Sequence, residues 1–249
     1  MDLNALRVLP QWPRFLGPPA ARGELRSCLE DFRVDELPQV SPSGAGAHLW
    51  VQLTKRGANT DWIAGQLALA AGCAARDVGY AGMKDRHAVT TQWFSLPMAV
   101  EKEAPWREWQ IPDATIIQAA RHQKKLKRGV LTGNRFRIVV RNIQGDKDEL
   151  LLRLEQVRLR GLPNYFGPQR FGHAGDNVWK AARWLAEGGR IPRSKQSIYL
   201  SAVRSFLFNQ VLAQRVRQGN WDQLLEGDVV MLDGTHSVFH GDAGDPQQV

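Results

Sequence analysis

One carboxylate stands inside a dense run of charge, Gly82-Met83-Lys84-Asp85-Arg86-His87. Short apolar stretches on either side, 78–81 and 90–96, read as strands, so the run reads as a loop between them. Such a loop can aim the Asp85 carboxylate into a cleft. Lys84 and Arg86 beside it are expected to favour its ionised form. An ionised carboxylate next to a sugar serves as nucleophile or base, as in glycoside chemistry. Taken alone, a Lys-Asp-Arg turn is more often a solvated loop with local ion pairs.

A second feature is the run Arg121-His122-Gln123-Lys124-Lys125-Leu126-Lys127-Arg128, in which five of eight residues are fixed cations. Its charge is dense and unbalanced by acids, which suits it to track phosphates through Arg121, Lys124, Lys125, Lys127 and Arg128. The alternative is one solvated face of a helix or loop. A third feature is aromatic: Phe32 and Phe136 lie at or near strand starts, where a ring can stack on an unpaired base. Each taken singly reads first as an ordinary core residue.

Several catalytic patterns are absent from the sequence: a phosphate-binding loop, a GxSxG elbow, HExxH and CxxC. The six histidines show no metal-ligand spacing, and Cys28 and Cys73 make neither a zinc motif nor a secreted disulfide scaffold. These observations weigh against NTPases, α/β-hydrolases and zinc enzymes. The 33 Lys and Arg against 25 Asp and Glu leave a formal charge of +8, and nucleic acid is the commonest anionic partner of such a chain. The start, Met1-Asp2-Leu3-Asn4, lacks a signal peptide's basic and apolar regions, and the longest apolar run, 67–75, is too short to span a bilayer. A cytoplasmic protein is expected.

The elements that must position these residues follow from periodicity. Residues 10–23 read as an extended lead-in. Asp31 to Glu36 alternates as a strand, and Leu49, Val51 and Leu53 mark one face of a second. Thr60 is expected to cap a helix to about Ala71, with Ile63, Leu67 and Ala70 on one face and Gly72 as its stop. Residues 101–113 read as loop carrying Trp106 and Trp109. The stretch 135–141 alternates Phe136, Ile138 and Val140 against Arg135, Arg137 and Arg141, as one strand. Asp146 and Glu149 make a capping-box-like helix start, with Leu150, Leu151, Leu154 and Val157 as the apolar stripe and Gly161 after the end. Beyond a Gly- and aromatic-rich connector, helices are expected near 176–187 and 198–217, then a hairpin turning at Asp233-Gly234. The mixture makes the fold α+β, with a domain boundary near 161.

Four segments together resemble the TruD family of tRNA pseudouridine synthases. Gly79 to Trp93 is similar to its stretch G-x-K-D-[KR]-x-A-x-T-x-Q, and Glu30 to Glu36 to its E-D-F-x-V-x-E. Gly133-Asn134-Arg135-Phe136 resembles G-N-x-F, and Asn164 to Gly172 resembles N-Y-F-G-x-Q-R-F-G. The resemblance runs from about residue 20 to about residue 240. It implies a mainly antiparallel pseudouridine synthase sheet with flanking helices, catalytic domain 1–161, interrupted by a smaller inserted α/β domain, 162–249. It implies isomerisation of uridine 13 of tRNA with no cofactor and no metal. Asp85 would be the catalytic aspartate. Arg26 stands where the family has a basic residue, often Lys, near that aspartate, and Lys84 lies in the same motif as Asp85. With Phe32, Asn134 and Phe136 they are the expected substrate-binding residues. Leu29 departs from the Pro usual before E-D-F, which touches only local rigidity.

The chemistry implied is breakage of the uracil N1–ribose bond, rotation of the base and rejoining through C5, with Asp85 attacking the anomeric carbon or removing a neighbouring sugar proton. The target base must leave its stack. The other readings are an RNA-binding fragment of the same fold without turnover and a nucleoside hydrolase using Asp85. A monomer with no membrane association is expected. Family members continue beyond the polar, turn-rich stretch 241–249, so these 249 residues alone are expected to bind tRNA weakly and to turn it over poorly or not at all.

Overall fold

The structure, a computed structural model, describes residues 3–100, 104–232 and 237–241. It comprises two compact units, residues 21–145 and residues 1–20 with 146–249. The sequence places a boundary near 161; between the compact units the chain passes at Gly145/Asp146.

The 21–145 unit is α+β. Its main sheet is built from β2 (Phe32–Pro38), β3 (His48–Arg56), β5 (Val89–Pro97), β6 (Ala114–His122) and β7 (Leu131–Ile138) in the order β6-β3-β5-β2-β7, with the short β4 (Gly79–Tyr80) pairing β5. All pairings are antiparallel except β2 with β5. A separate pair joins β1 (Ala21–Leu25) to β8 (Val140–Gly145).

Residues opposite each other across a ladder share a face. Leu49↔Leu96 and Val51↔Phe94 therefore lie together, and α1 (Thr60–Ala71) covers them with Ile63, Ala64, Leu67 and Ala68. Burial of each large apolar side chain is worth about 1.5–3 kcal/mol, which makes this packing the unit's main anchor. The buried helical face is 63/64/67/68/71; Ala70, expected inward, is exposed because it lies beyond the edge of that stripe. Gly72 ends the helix in the left-handed conformation, φ 69°, as expected. The helix cap is Asn59, one residue before the expected Thr60. On the other sheet face Trp50, Trp93, Ala81 and Leu126 form a second cluster.

Continuing along the α1-side face, the residues change character. The next pairs are Leu53↔Gln92 and Lys55↔Thr90, all four buried. Across β2 the same face carries Val34 and Glu36, and across β7 Phe136 and Asn134. The apolar core thus gives way to polar groups where the 82–87 loop crosses.

The stretch 135–141 is not one strand. β7 ends at Ile138, Val139 donates its N–H to the Asp31 carbonyl, and β8 leaves to pair with β1. Arg141 is drawn out of the expected arginine row by Asp31: two 2.8 Å bonds bind its guanidinium to that buried carboxylate. They hold the Asp31 carboxyl down to about 2. Strand β6 carries no clean alternation, and periodicity does not reveal it.

In the other unit, α2 (Lys147–Arg160) begins with the expected Asp146 cap, its carboxylate accepting from Glu149 N–H at 3.0 Å, while the Glu149 side chain pairs with Arg153 rather than closing the box. Its apolar stripe is not buried: Leu151 and Leu154 are exposed, as is the neighbouring Leu152. Helices α3 (Asp176–Glu187) and α4 (Arg193–Gln218) pack on each other around Phe171, Val178, Ala202 and Phe206. Helix α4 begins earlier than expected because Pro192 caps it. Strands β9 (Val229–Met231) and β10 (Val238–His240) pair antiparallel; the turn expected at Asp233-Gly234 lies outside the described residues, as do 101–103 of the expected loop. Trp106 and Trp109 pack against the first core.

Candidate active site

The 82–87 loop leaves β4 and returns to β5, so two strands of one sheet fix its ends. Its side chains part in opposite directions. The Lys84 ammonium turns inward to the Glu36 carboxylate at 2.8 Å, with the two side chains 5% and 1% exposed. Glu36 is held in turn by the Trp93 N–H, 3.2 Å from its other oxygen. The sequence reading groups Lys84 with the substrate-binding residues and beside Asp85; here its charge is spent in a buried pair. Arg86 likewise turns away, its Nε donating to the Gly57 carbonyl at 3.3 Å.

The cation that meets Asp85 comes from the distant Arg26, at 3.1 Å. The two side chains are 39% and 49% exposed, so the pair stands open to a ligand. The second Asp85 oxygen has no hydrogen-bond partner among the described residues. Arg26 adopts φ 61°, a left-handed conformation costing a non-glycine residue about 1–3 kcal/mol, of the kind found where a site over-determines its backbone. Its guanidinium carbon lies 3.9 Å from the centre of the Phe32 ring, and Phe32 meets Phe136 edge-on at 6.0 Å. Asp85, Arg26, Phe32 and Phe136 therefore form one connected series from carboxylate to aromatic wall. Phe136 is 55% exposed, which core packing does not explain. Asn134 is exposed on the same strand face, opposite Glu36 in register. A concavity of about 390 Å³ opens beside this series, lined by Arg26, Ser27, Cys28, Leu29 and His87.

Beneath the loop lies a buried polar floor. The Thr60 hydroxyl accepts from Lys84 N–H at 3.0 Å and bonds the Gln92 side-chain oxygen at 3.2 Å. The Gln92 amide donates to the Gly82 carbonyl at 3.2 Å. Fully buried Lys55 donates to loop carbonyls. Sequence patterning does not assign these roles. Glu36 and Gln92 lie in the family-like motifs without a role of their own, and Thr60 reads as a helix cap. Lys55 carries one usable signal: it continues the buried alternation 49/51/53, where a lysine demands a partner.

The 121–128 run is neither helix nor strand beyond His122; it is pinned by its backbone. The Trp50 indole donates to the Lys124 carbonyl at 2.9 Å, and Leu126 N–H donates to Ser95 Oγ at 2.8 Å, with Leu126 buried. Gly79 permits this close crossing, since an added Cβ there would collide with the Leu126 carbonyl. Lys124, Lys127 and Arg128 are exposed. Lys125 Nζ donates to the Arg76 carbonyl at 3.0 Å, and Arg128 to the Tyr80 hydroxyl at 3.2 Å. Lys125, Lys127 and Arg128 line a cavity of about 470 Å³ with Arg76, Tyr80 and Asp61. Arg121 is different: its guanidinium donates to the Met98 carbonyl at 2.8 Å and supports structure.

Among the described residues no group of three or more His, Cys, Asp or Glu forms a metal cluster, and no helix is long and apolar enough to cross a membrane.

A family model described as tRNA pseudouridine synthase D (TruD) matches residues 15–190 and 176–245. The chain is 48% identical over 231 residues to tRNA pseudouridine synthase D of Methylococcus capsulatus, covering 92% of this chain and 65% of that protein. It is 47% identical over 226 residues to that of Nitrosococcus oceani, covering 89% and 63%. It thus spans less than two thirds of the length of these relatives. A crystal structure of a chain assigned as TruD from Methanosarcina mazei superposes with a TM-score of 0.72 at 21% identity, covering 96% of this chain and 71% of that one, which carries the likeness of fold.

Proposed function

Because the chain belongs to the tRNA pseudouridine synthase D (TruD) family, we propose that the protein isomerises a uridine of tRNA, the one at position 13, to pseudouridine, with Asp85 as the group that acts on the ribose. The observation that carries this reading is the connected series Asp85–Arg26–Phe32–Phe136, raised on a sheet face over a buried polar floor.

Each step has a group to serve it. The reaction breaks N1–C1′ and C5–H, turns the uracil and forms C5–C1′ and N1–H; the atoms are conserved, so no group donor or redox partner is consumed. Arg26 grips one Asp85 oxygen and leaves the other toward the sugar, where it attacks C1′ or takes the neighbouring proton. Phe32 and Phe136 supply an apolar wall for the detached base, and Asn134 offers hydrogen bonds to its polar edge. Lys124, Lys125, Lys127 and Arg128 meet backbone phosphates, the cavity beside Tyr80 giving the last three a concave seat. Residues 162–249 belong to the inserted domain in this reading, and the protein works in the cytoplasm as a monomer.

The test is to incubate the full-length natural protein and its Asp85→Asn variant with tRNA and to map pseudouridine. Wild type is expected to modify position 13. The variant is expected to form no pseudouridine while binding tRNA with affinity close to wild type. Substantial turnover by the variant removes Asp85 from its role. Binding without modification by wild type favours an RNA-binding protein, and release of free uracil favours a hydrolase.

A further inference from the structure

Lys55 has no solvent-exposed surface, and no carboxylate pairs with it among the described residues. It ends the series Leu49, Val51, Leu53 on the inner face of β3, where an apolar side chain would continue the core. Its Nζ instead donates to three backbone carbonyls: Ala58 at 2.8 Å, Asp85 at 2.8 Å and Lys84 at a longer 3.4 Å. An ammonium has three protons, and each has an acceptor here. Burying a charge without a counter-ion is costly, and a buried ionic group that stability alone would replace by hydrocarbon calls for another use.

Resting on the reading that Asp85 acts on the substrate, we propose that Lys55 is the positioning residue for Asp85. By gripping the Lys84 and Asp85 carbonyls from beneath, it fixes the peptide planes from which the Asp85 side chain departs, and so sets the carboxylate's aim without touching substrate.

The groups facing Lys55 are few. Within the loop, the Asp85 carboxylate favours its charged form, and the Lys84 ammonium opposes it, itself paired with Glu36. From β5 comes the neutral Thr90 hydroxyl, opposite in register; from α1, the Thr60 hydroxyl bonded to Lys84 N–H. From β6 the paired residue is Ala114. At the rim Arg86 is engaged with the Gly57 carbonyl and Arg56 with Glu30. Burial dominates and pushes the Lys55 ammonium down from 10.5 to about 8.

Two consequences of opposite sign follow. Above about pH 8 Lys55 loses its charge and one donor, the grip on the loop slackens, and turnover falls. Between about 8 and 10.5 the unfolded chain binds more protons at this residue than the folded one, so its contribution to stability rises with pH. A lysine serving stability alone would leave kcat flat across that window.

The experiment measures kcat, KM and melting temperature from pH 6.5 to 9.5 for the full-length natural protein and for Lys55→Met, which keeps the length of the side chain. The expected result is a kcat lower by about 10- to 100-fold in the variant, the scale of a misplacement of about 1 Å, with KM little changed. The variant's alkaline limb near pH 8 should vanish, and its melting temperature should match or exceed wild type. An active wild type with a flat kcat profile overturns the proposal even if Lys55→Met does not fold. So does a variant that matches wild-type kcat or keeps the same limb. A wild type that binds tRNA and forms no pseudouridine overturns the reading of the site, and this proposal with it.

Discussion

Lys84 and Asp85 are adjacent in the chain and belong to two different regions. Lys84 joins a floor of Glu36, Thr60, Gln92 and Lys55, all buried and all bonded. Asp85 joins a rim of Arg26, Phe32, Phe136 and Asn134, half-buried to exposed. The floor's ion pair has lost its water and is committed to one geometry; the rim's pair keeps access to water and so to a substrate. The same residue types thus do opposite work, and burial decides which. A site of this kind needs both: groups that can meet a ligand, and a rigid support whose own hydrogen bonds are complete.

The comparison is broken most severely by cutting the floor. Lys84→Met leaves Glu36 buried and without its counter-ion, and the expected cost is about 3–5 kcal/mol of stability. Denaturant unfolding measures it. A loss below about 1 kcal/mol would place Lys84 with the exposed pairs and erase the distinction.

A cut in the rim should act on turnover and spare the fold. Phe136 is 55% exposed, so Phe136→Ala removes little packing; it removes a stacking wall worth about 1–3 kcal/mol. Turnover of tRNA should fall accordingly, with affinity less affected and the melt nearly unchanged. If the variant unfolds instead, Phe136 is a core residue and the wall is elsewhere.

The rim is more legible in the sequence than the floor. Phe32, Phe136, Asn134 and Asp85 stand out through motifs and through residue types that do chemistry. Charge in the neighbouring chain misleads about the cation of Asp85, since loop geometry sends Lys84 and Arg86 away; the family motif points instead to Arg26, which comes from across the unit to meet it. The floor is hidden because a buried lysine, threonine or glutamine has no local pattern of its own; only strand register shows that Lys55, Thr90 and Gln92 extend an apolar face. The same limit explains 135–141, where perfect alternation conceals a break made by the distant Asp31. It explains α2 as well, whose apolar stripe is plain in the periodicity but whose burial depends on what packs there.

The smallest effect per residue is expected from the basic run, and there the structure sharpens the reading. The five cations of 121–128 look equivalent in sequence. Arg121 is occupied with the Met98 carbonyl, and Lys125 donates to the Arg76 carbonyl, while Lys124 and Lys127 are exposed. Removing one lysine–phosphate interaction should flatten the log–log salt dependence of tRNA binding by roughly 0.7–0.9 unit. Neutralising Lys124, Lys125 and Lys127 together to Gln should therefore remove about two units of slope, with most of the change already present in the Lys124/Lys127 pair. Arg121→Gln should behave otherwise, lowering the melting temperature and leaving the slope alone, because its guanidinium supports backbone rather than ligand. Filter binding across a salt series separates the two outcomes. A slope that does not respond to the three lysines would mean that 121–128 faces solvent in the complex, whereas a slope that responds as strongly to Arg121 would return all five cations to one phosphate-binding face.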